Sequence, residues 1–201
     1  MMVLFLGASD LWSHRMRIAM VEKGLPADIV EIDVDHPPPE MAELNPFLSV
    51  PTLIDRELTL YDSRVILDYL EERFQHPALL PPDPVVRAQL RLALFRIEHD
   101  WYGLVDALNT GDEQAKSLLV ASIVSNAAIF RARRYFLSDD FTLVDATIAP
   151  VFARLEKWGI TLPEEAAPAV AYARRVFDRP SVAATLPTDL SNASNSFCAV
   201  R

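Results

Sequence analysis

Four prolines fall within Gln75-His76-Pro77-Ala78-Leu79-Leu80-Pro81-Pro82-Asp83-Pro84, and the hydrophobic pattern changes character across them. Proline fixes φ and lacks an amide donor, so neither a helix nor a central strand runs through such a stretch. Residues 76–84 therefore read as a proline-rich linker between two domains. Upstream, strand and helix periods alternate: strands at 3–6 and 29–34, a helix at 13–23 closed by Gly24, and a helix at 39–44. Short strands at 52–54 and 58–60 follow around the polar turn Asp55-Arg56-Glu57. A helix at 62–74 carries Val65, Ile66, Tyr69 and Leu70 at helical spacing. This order predicts a small mixed sheet in a domain spanning 1–75. Downstream every strong period is helical, over 85–108, 112–134, 143–158 and 164–177. The expected class is thus α/β plus all-α, with a helical domain at 85–187 and a polar, poorly patterned tail at 188–201, expected to be disordered.

The 201 residues are 51% apolar, enough for a packed core. No run of 18 or more apolar residues and no signal-peptide pattern is seen, so no membrane partner is expected and the cytoplasm is the expected location. The one cysteine, Cys198, cannot form an internal disulfide or a cysteine cage. A formal charge of −9 argues against direct nucleic-acid binding, which needs clustered Lys and Arg. The one basic cluster, Arg131, Arg133 and Arg134, suits a solvated helix C-terminus or an acidic patch on a partner. His14, His36, His76 and His99 lack metal-ligand spacing, so no metal site is expected. His99 and Asp100 are adjacent on a helix and are not expected to face one another. Trp101 and Tyr102 are expected to pack or to line a domain interface. With five glycines in all, a Gly-rich phosphate loop is absent.

Two segments of the first half carry polar chemistry. Pro51 stands at the mouth of a strand, where a missing donor costs the ladder nothing, and leaves the Val50 backbone to bond a peptide-like ligand. Asp62 and Ser63 open a helix whose first amides favour a carboxylate. Together Val50, Pro51, Asp62 and Ser63 describe a pocket for a peptide with a free carboxylate. Helix capping by Asp62 is the alternative account of the same residues. Farther on, Thr142-Leu143-Val144-Asp145 has the spacing of a capping box, with Phe141 facing only the small Ala146 as a staple partner.

This order of elements and motifs resembles the glutathione transferase superfamily over roughly residues 2–187. That superfamily has a thioredoxin-like N-terminal domain, a proline linker and an all-α C-terminal domain. Val50-Pro51, Asp62-Ser63 and residues 142–145 fall where it carries a cis-proline, a γ-glutamyl-binding acid–serine pair and a folding box. The resemblance implies a cis Val50–Pro51 bond and a two-fold homodimer. Within the superfamily, the chain is similar to the stringent starvation protein A family. The matching segments are Ser13-His14-Arg15-Met16-Arg17-Ile18, Glu22-Lys23-Gly24, Leu44-Asn45-Pro46, Val50-Pro51-Thr52-Leu53, Asp55-Arg56-Glu57-Leu58-Thr59-Leu60, Asp68-Tyr69-Leu70-Glu71-Glu72-Arg73-Phe74, Asp100-Trp101-Tyr102 and Tyr135-Phe136-Leu137-Ser138-Asp139-Asp140-Phe141. That bacterial family associates with RNA polymerase and redirects transcription in stress and stationary phase. Its members are generally not active transferases.

Serine- and cysteine-type transferases place their Ser or Cys at the start of the first helix, against the glutathione sulfur. The matching position here is Asp10. A carboxylate has no proton to give a thiolate, and its charge raises a neighbouring thiol's pKa. The activating position is degenerate, so no catalytic residue is expected. Ser9 and Ser13 are the nearby hydroxyls, Ser13 reading as a helix-start residue, and no tyrosine occurs in the first 60 residues. The starvation family's Pro-His-Pro element, which contacts polymerase, matches Gln75-His76-Pro77 with its first proline replaced. The resemblance implies a non-enzymatic regulator that binds RNA polymerase holoenzyme and needs no cofactor. The competing class is a glutathione-dependent transferase or peroxidase with an atypical activating residue, glutathione then being a weak ligand.

Overall fold

The structure, a computed structural model, describes residues 2–190. Cys198 and the tail from 191 onward, expected to be disordered, lie outside the described residues. The chain divides into two compact units, one ending at Leu79 and one beginning at Leu80, a boundary inside the proline-rich stretch.

The first unit runs β1 (Met2–Gly7), α1 (Leu11–Glu22), β2 (Asp28–Ile32), α2 (Met41–Leu44), β3 (Thr52–Asp55), β4 (Leu58–Leu60) and α3 (Ser63–Arg73). Its four-stranded sheet has the order β2-β1-β3-β4. β1 and β2 are parallel, as a helical crossover requires, and β3 and β4 form an antiparallel hairpin. Its turn is sharpened by Arg56 at φ 60°. Met2, Leu4 and Leu6 alternate into the core, where they meet Leu53 of β3 beneath α1 and α3. Two elements are shorter than their apolar patterns suggest. β2 ends at Ile32 because the Asp33 carboxylate captures the Asp35 amide at 3.0 Å and closes a turn. α2 starts only at Met41, after Pro37-Pro38-Pro39, whose missing donors leave the chain irregular. On α3 the buried stripe is Ile66, Leu67, Leu70 and Glu71, while Val65, expected inside, is exposed.

The second unit is helical: α4 (Pro84–Asp100), α5 (Val105–Asn109), α6 (Glu113–Ser125), α7 (Ala127–Ala132), α8 (Leu143–Ala153), α9 (Ala167–Phe177) and α10 (Pro180–Ala183). Every residue of α8 is buried, which explains its nearly unbroken apolar sequence, and α4 and α9 pack against it. Phe130, Phe136, Phe152 and Tyr172 form a ring cluster beside it, with centroids 4.8 to 6.1 Å apart. The helix read at 85–108 breaks after Asp100, where Trp101 bonds Ser122 at 2.8 Å and Tyr102 bonds the Thr147 carbonyl at 2.9 Å. Both aromatics pack inside this unit. His99 and Asp100, adjacent at this fraying helix end, do meet, at 3.0 Å. Asp100 also pairs with Arg96 at 2.7 Å, so the contact is a surface ion cluster. A short 3-10 turn, Thr188–Leu190, closes the described chain; Asp189 pairs with Lys157 at 2.7 Å and Leu190 is buried, so residues 188–190 are held in place. Residues Glu113–Ala132 have the length and mean hydropathy, 1.2, of a membrane-crossing helix, but the Asn126 turn divides them into α6 and α7.

Candidate functional site

The sheet register gathers the expected pocket residues at one end of the first unit. β1 pairs with β3 at Phe5 and Thr52, and two residues beyond that pair on the two strands' continuations lie Gly7 and Val50. β3 pairs with β4 at Leu53 and Leu60, and two residues beyond lie Pro51 and Asp62. The strand ends therefore bring Val50, Pro51, Asp62 and Ser63 to the edge where α1 begins at Asp10. The Val50–Pro51 bond is cis. Val50 is half-buried, Pro51 and Ser63 are buried, and Asp62 is exposed.

Asp10 is the N-cap of α1: its Oδ1 accepts from the Ser13 amide at 2.8 Å. Its Oδ2 is enclosed and lies where a side chain on Gly7 would have to go. The Asp10 carboxylate is thus built into the helix start. Ser13 is buried in the first turn, and its hydroxyl accepts from the Gly7 amide at 2.9 Å, tying α1 to the end of β1.

Asp62 caps α3, accepting from the amides of Arg64 and Val65 at 2.8 and 3.1 Å. Those are amides that a ligand carboxylate would use, so the cap takes part of the anion-binding capacity read from the sequence. Ser63 keeps a different asset. Its hydroxyl accepts from the buried Arg15 guanidinium at 2.5 Å, leaving its own proton to donate. Arg15 stacks over the Trp12 ring with 4.6 Å to its centroid. A hydroxyl donor backed by a buried cation suits an anionic group. Arg15 was not singled out from the sequence; the available signal was a long cation on the otherwise apolar Leu11, Ile18 side of α1.

The second expected site, Gln75-His76-Pro77, is an exposed loop after α3. The His76–Pro77 bond is cis. Beneath it lies an ion pair: Lys23 Nζ donates to Glu71 Oε1 at 2.6 Å and to the Pro77 carbonyl at 2.9 Å. Both Glu71 oxygens accept from the Leu79 amide, at 3.1 Å each. The two charged side chains are 1% and 2% exposed. Sequence reasoning passed over this pair, although its positions signal it: Glu71 follows Leu67 by four on the buried stripe of α3, and Lys23 follows Ala19 by four on α1.

Among the described residues, no group of three or more His, Cys, Asp or Glu side chains is placed to hold a metal.

Residues 11–73 match the N-terminal domain of glutathione S-transferases. A stringent starvation protein A homolog from Coxiella burnetii is 40% identical over 190 residues, 92% of this chain and 91% of that protein. One from Haemophilus ducreyi is 41% identical over 90% of this chain and 87% of its own length. Among solved structures, a rice glutathione transferase crystallised with glutathione superposes with a TM-score of 0.85 at 25% identity, covering 98% of this chain and 96% of its own. The fold is therefore that of a glutathione transferase, a thioredoxin-like unit followed by a helical one. With kinship of this closeness over nine-tenths of its length, the chain belongs to the stringent starvation protein A family of the glutathione transferase superfamily.

Proposed function

We propose that this protein is a non-enzymatic transcription regulator that binds RNA polymerase holoenzyme through protein contacts in stress and stationary phase, working in the cytoplasm as a homodimer. The observation that carries this reading is the near-full-length kinship with stringent starvation protein A homologs. The geometry agrees with it. Asp10 spends its carboxylate on capping α1, which leaves the usual thiolate chemistry without its activating group. Gln75, His76 and Pro77 stand exposed on a loop whose base is fixed, which lowers the ordering cost of binding. The net charge of −9 favours a protein partner over a phosphate backbone.

The test passes purified polymerase holoenzyme over immobilised protein. Wild type retains it, and His76→Ala with Pro77→Ala loses at least about tenfold in affinity, the scale of a contact made by a central anchor. Retention by the double variant equal to wild type would remove the loop from the interface.

A second reading, a glutathione-dependent transferase or peroxidase, draws on the Val50, Pro51, Asp62 and Ser63 edge and on the Arg15 guanidinium behind Ser63. It demands turnover of chlorodinitrobenzene with glutathione and a melting-temperature shift at millimolar glutathione. The regulator reading expects neither to exceed a buffer control.

A further inference from the structure

We propose that Lys23 and Glu71 are positioning residues for the His76–Pro77 surface, holding its backbone from beneath so that the loop meets its partner already ordered. The proposal rests on the reading that this loop contacts polymerase. α1 delivers Lys23 as its C-cap residue, and α3 delivers Glu71 from its buried stripe. The Lys23 ammonium spends one proton on Glu71 and another on the Pro77 carbonyl. Glu71 grips the Leu79 amide with both oxygens. The Phe74 amide closes α3 onto the Leu70 carbonyl at 2.9 Å. The exposed residues 75–78 are therefore fastened before, within and after the loop, at 74, 77 and 79.

An apolar pair of the same size would fill this space without the cost of taking two charges out of water. What an apolar pair cannot do is bond a backbone carbonyl at 77 and a backbone amide at 79. The ionic groups thus do a task that packing alone leaves undone. Lys23 and Glu71 are buried beneath the loop and act through its path.

The test compares four proteins: wild type, Lys23→Met with Glu71→Leu, His76→Ala with Pro77→Ala, and Asp55→Asn. Asp55 is a buried acid that accepts from Tyr69 and Arg73 on the same α3 helix without touching the loop, so it controls for general damage to that helix. The Lys23/Glu71 variant is expected to melt near wild type, because an apolar replacement of a buried pair is often neutral. Its Leu79 amide is expected to exchange at least about tenfold faster, and its polymerase affinity to fall at least about tenfold, while Asp55→Asn keeps both within about twofold. Unchanged affinity in the Lys23/Glu71 variant, alongside a loss in the His76/Pro77 variant, overturns the positioning role. Unchanged affinity in the His76/Pro77 variant instead overturns the underlying reading of the loop, and Leu79 exchange then decides the positioning claim by itself. Should the Lys23/Glu71 variant not fold, Lys23→Met with Glu71→Met, closer in shape to the native pair and without an oxygen acceptor, is read by the same exchange measurement, and a Leu79 amide protected as in wild type overturns the proposal.

Discussion

Asp145 takes hydrogen bonds from four donors. Its Oδ1 accepts from the Phe136 amide at 2.9 Å and the Tyr172 hydroxyl at 2.7 Å, and its Oδ2 from the Thr142 amide and hydroxyl at 2.8 and 3.0 Å. These donors favour the ionised form, but complete burial outweighs them and pushes the carboxyl up to about 6. Burial and the adjacent carboxylate push the Tyr172 phenol well above its usual range. The consequence for stability follows from linkage. An unfolded Asp titrates near 3.9, so between about pH 4 and 6 the folded chain holds a proton that the unfolded chain has released. Stability contributed by this group is complete below pH 4 and is lost as pH rises through 6, by about 3 kcal/mol. Asp145→Asn lacks this titration. The advantage of wild type over that variant in urea unfolding is therefore expected to shrink between pH 4 and 7; an advantage that widens with pH would show that the four donors outweigh burial. From the sequence Asp145 was readable as the acid of a capping box, but the Phe136 and Tyr172 contacts join positions 9 and 27 residues away, beyond what local spacing reveals. Asp10 has the reverse history: the resemblance alone set it at the helix start where a Ser or Cys was expected, while its capping bond needed the first turn of α1 to be seen.

Helix starts were more legible than helix ends or interruptions. Thr142 caps α8 by accepting from the Val144 amide at 3.2 Å, and Asp145 returns a bond to the Thr142 amide, so the box read from four residues is present. The staple is not built as the pattern suggests: Phe141 packs edge-on to Tyr135, with centroids 5.6 Å apart, and beneath Arg179. Because α8 is wholly buried, damage to its start reaches the core of the second unit. Thr142→Ala is expected to cost about 1 to 2 kcal/mol, the loss of a cap plus a weakened bond to Asp145. Denaturant melts read this directly, and an unchanged midpoint would show that α8 starts without its cap. Interruptions were hidden for a physical reason. A break after Asp100 is driven by where Trp101 and Tyr102 find partners, at Ser122 and Thr147, and helical periodicity continues through it unaffected. The end of β2, by contrast, is local: Asp33 turns the chain with its own side chain, a signal available in the sequence but outweighed by the apolar run around it.

At the scale of the whole molecule, the proline-rich stretch and the change of period on its two sides carried most of the architecture, because the period of the apolar residues reports whether a segment is strand or helix whatever it packs against. The surface is where pattern reading ran short, since an amphipathic helix that faces a partner looks like one that faces a core. α4 shows this. Val85, Leu92 and Phe95 recur at spacings of seven and three along one side of the helix, yet they are 65%, 62% and 49% exposed, while Leu90 and Ile97 turn inward to the core. Leu118 on α6 is exposed as well. An apolar stripe in contact with water is costly, and a second copy of the chain, related by a two-fold axis as in the proposed homodimer, would cover it. Covering three such side chains contributes on the order of 5 kcal/mol per protomer at about 25 cal/mol per Å². If the proposed homodimer forms through this stripe, placing charge on it, as Leu92→Glu with Phe95→Glu, is expected to lower the mass in light scattering at micromolar concentration from that of two chains to that of one, with the helical content of each chain unchanged. A variant that keeps the wild-type mass would show that α4 faces something other than its own kind, and polymerase retention by the same variant then tells whether the regulator works as one chain or two.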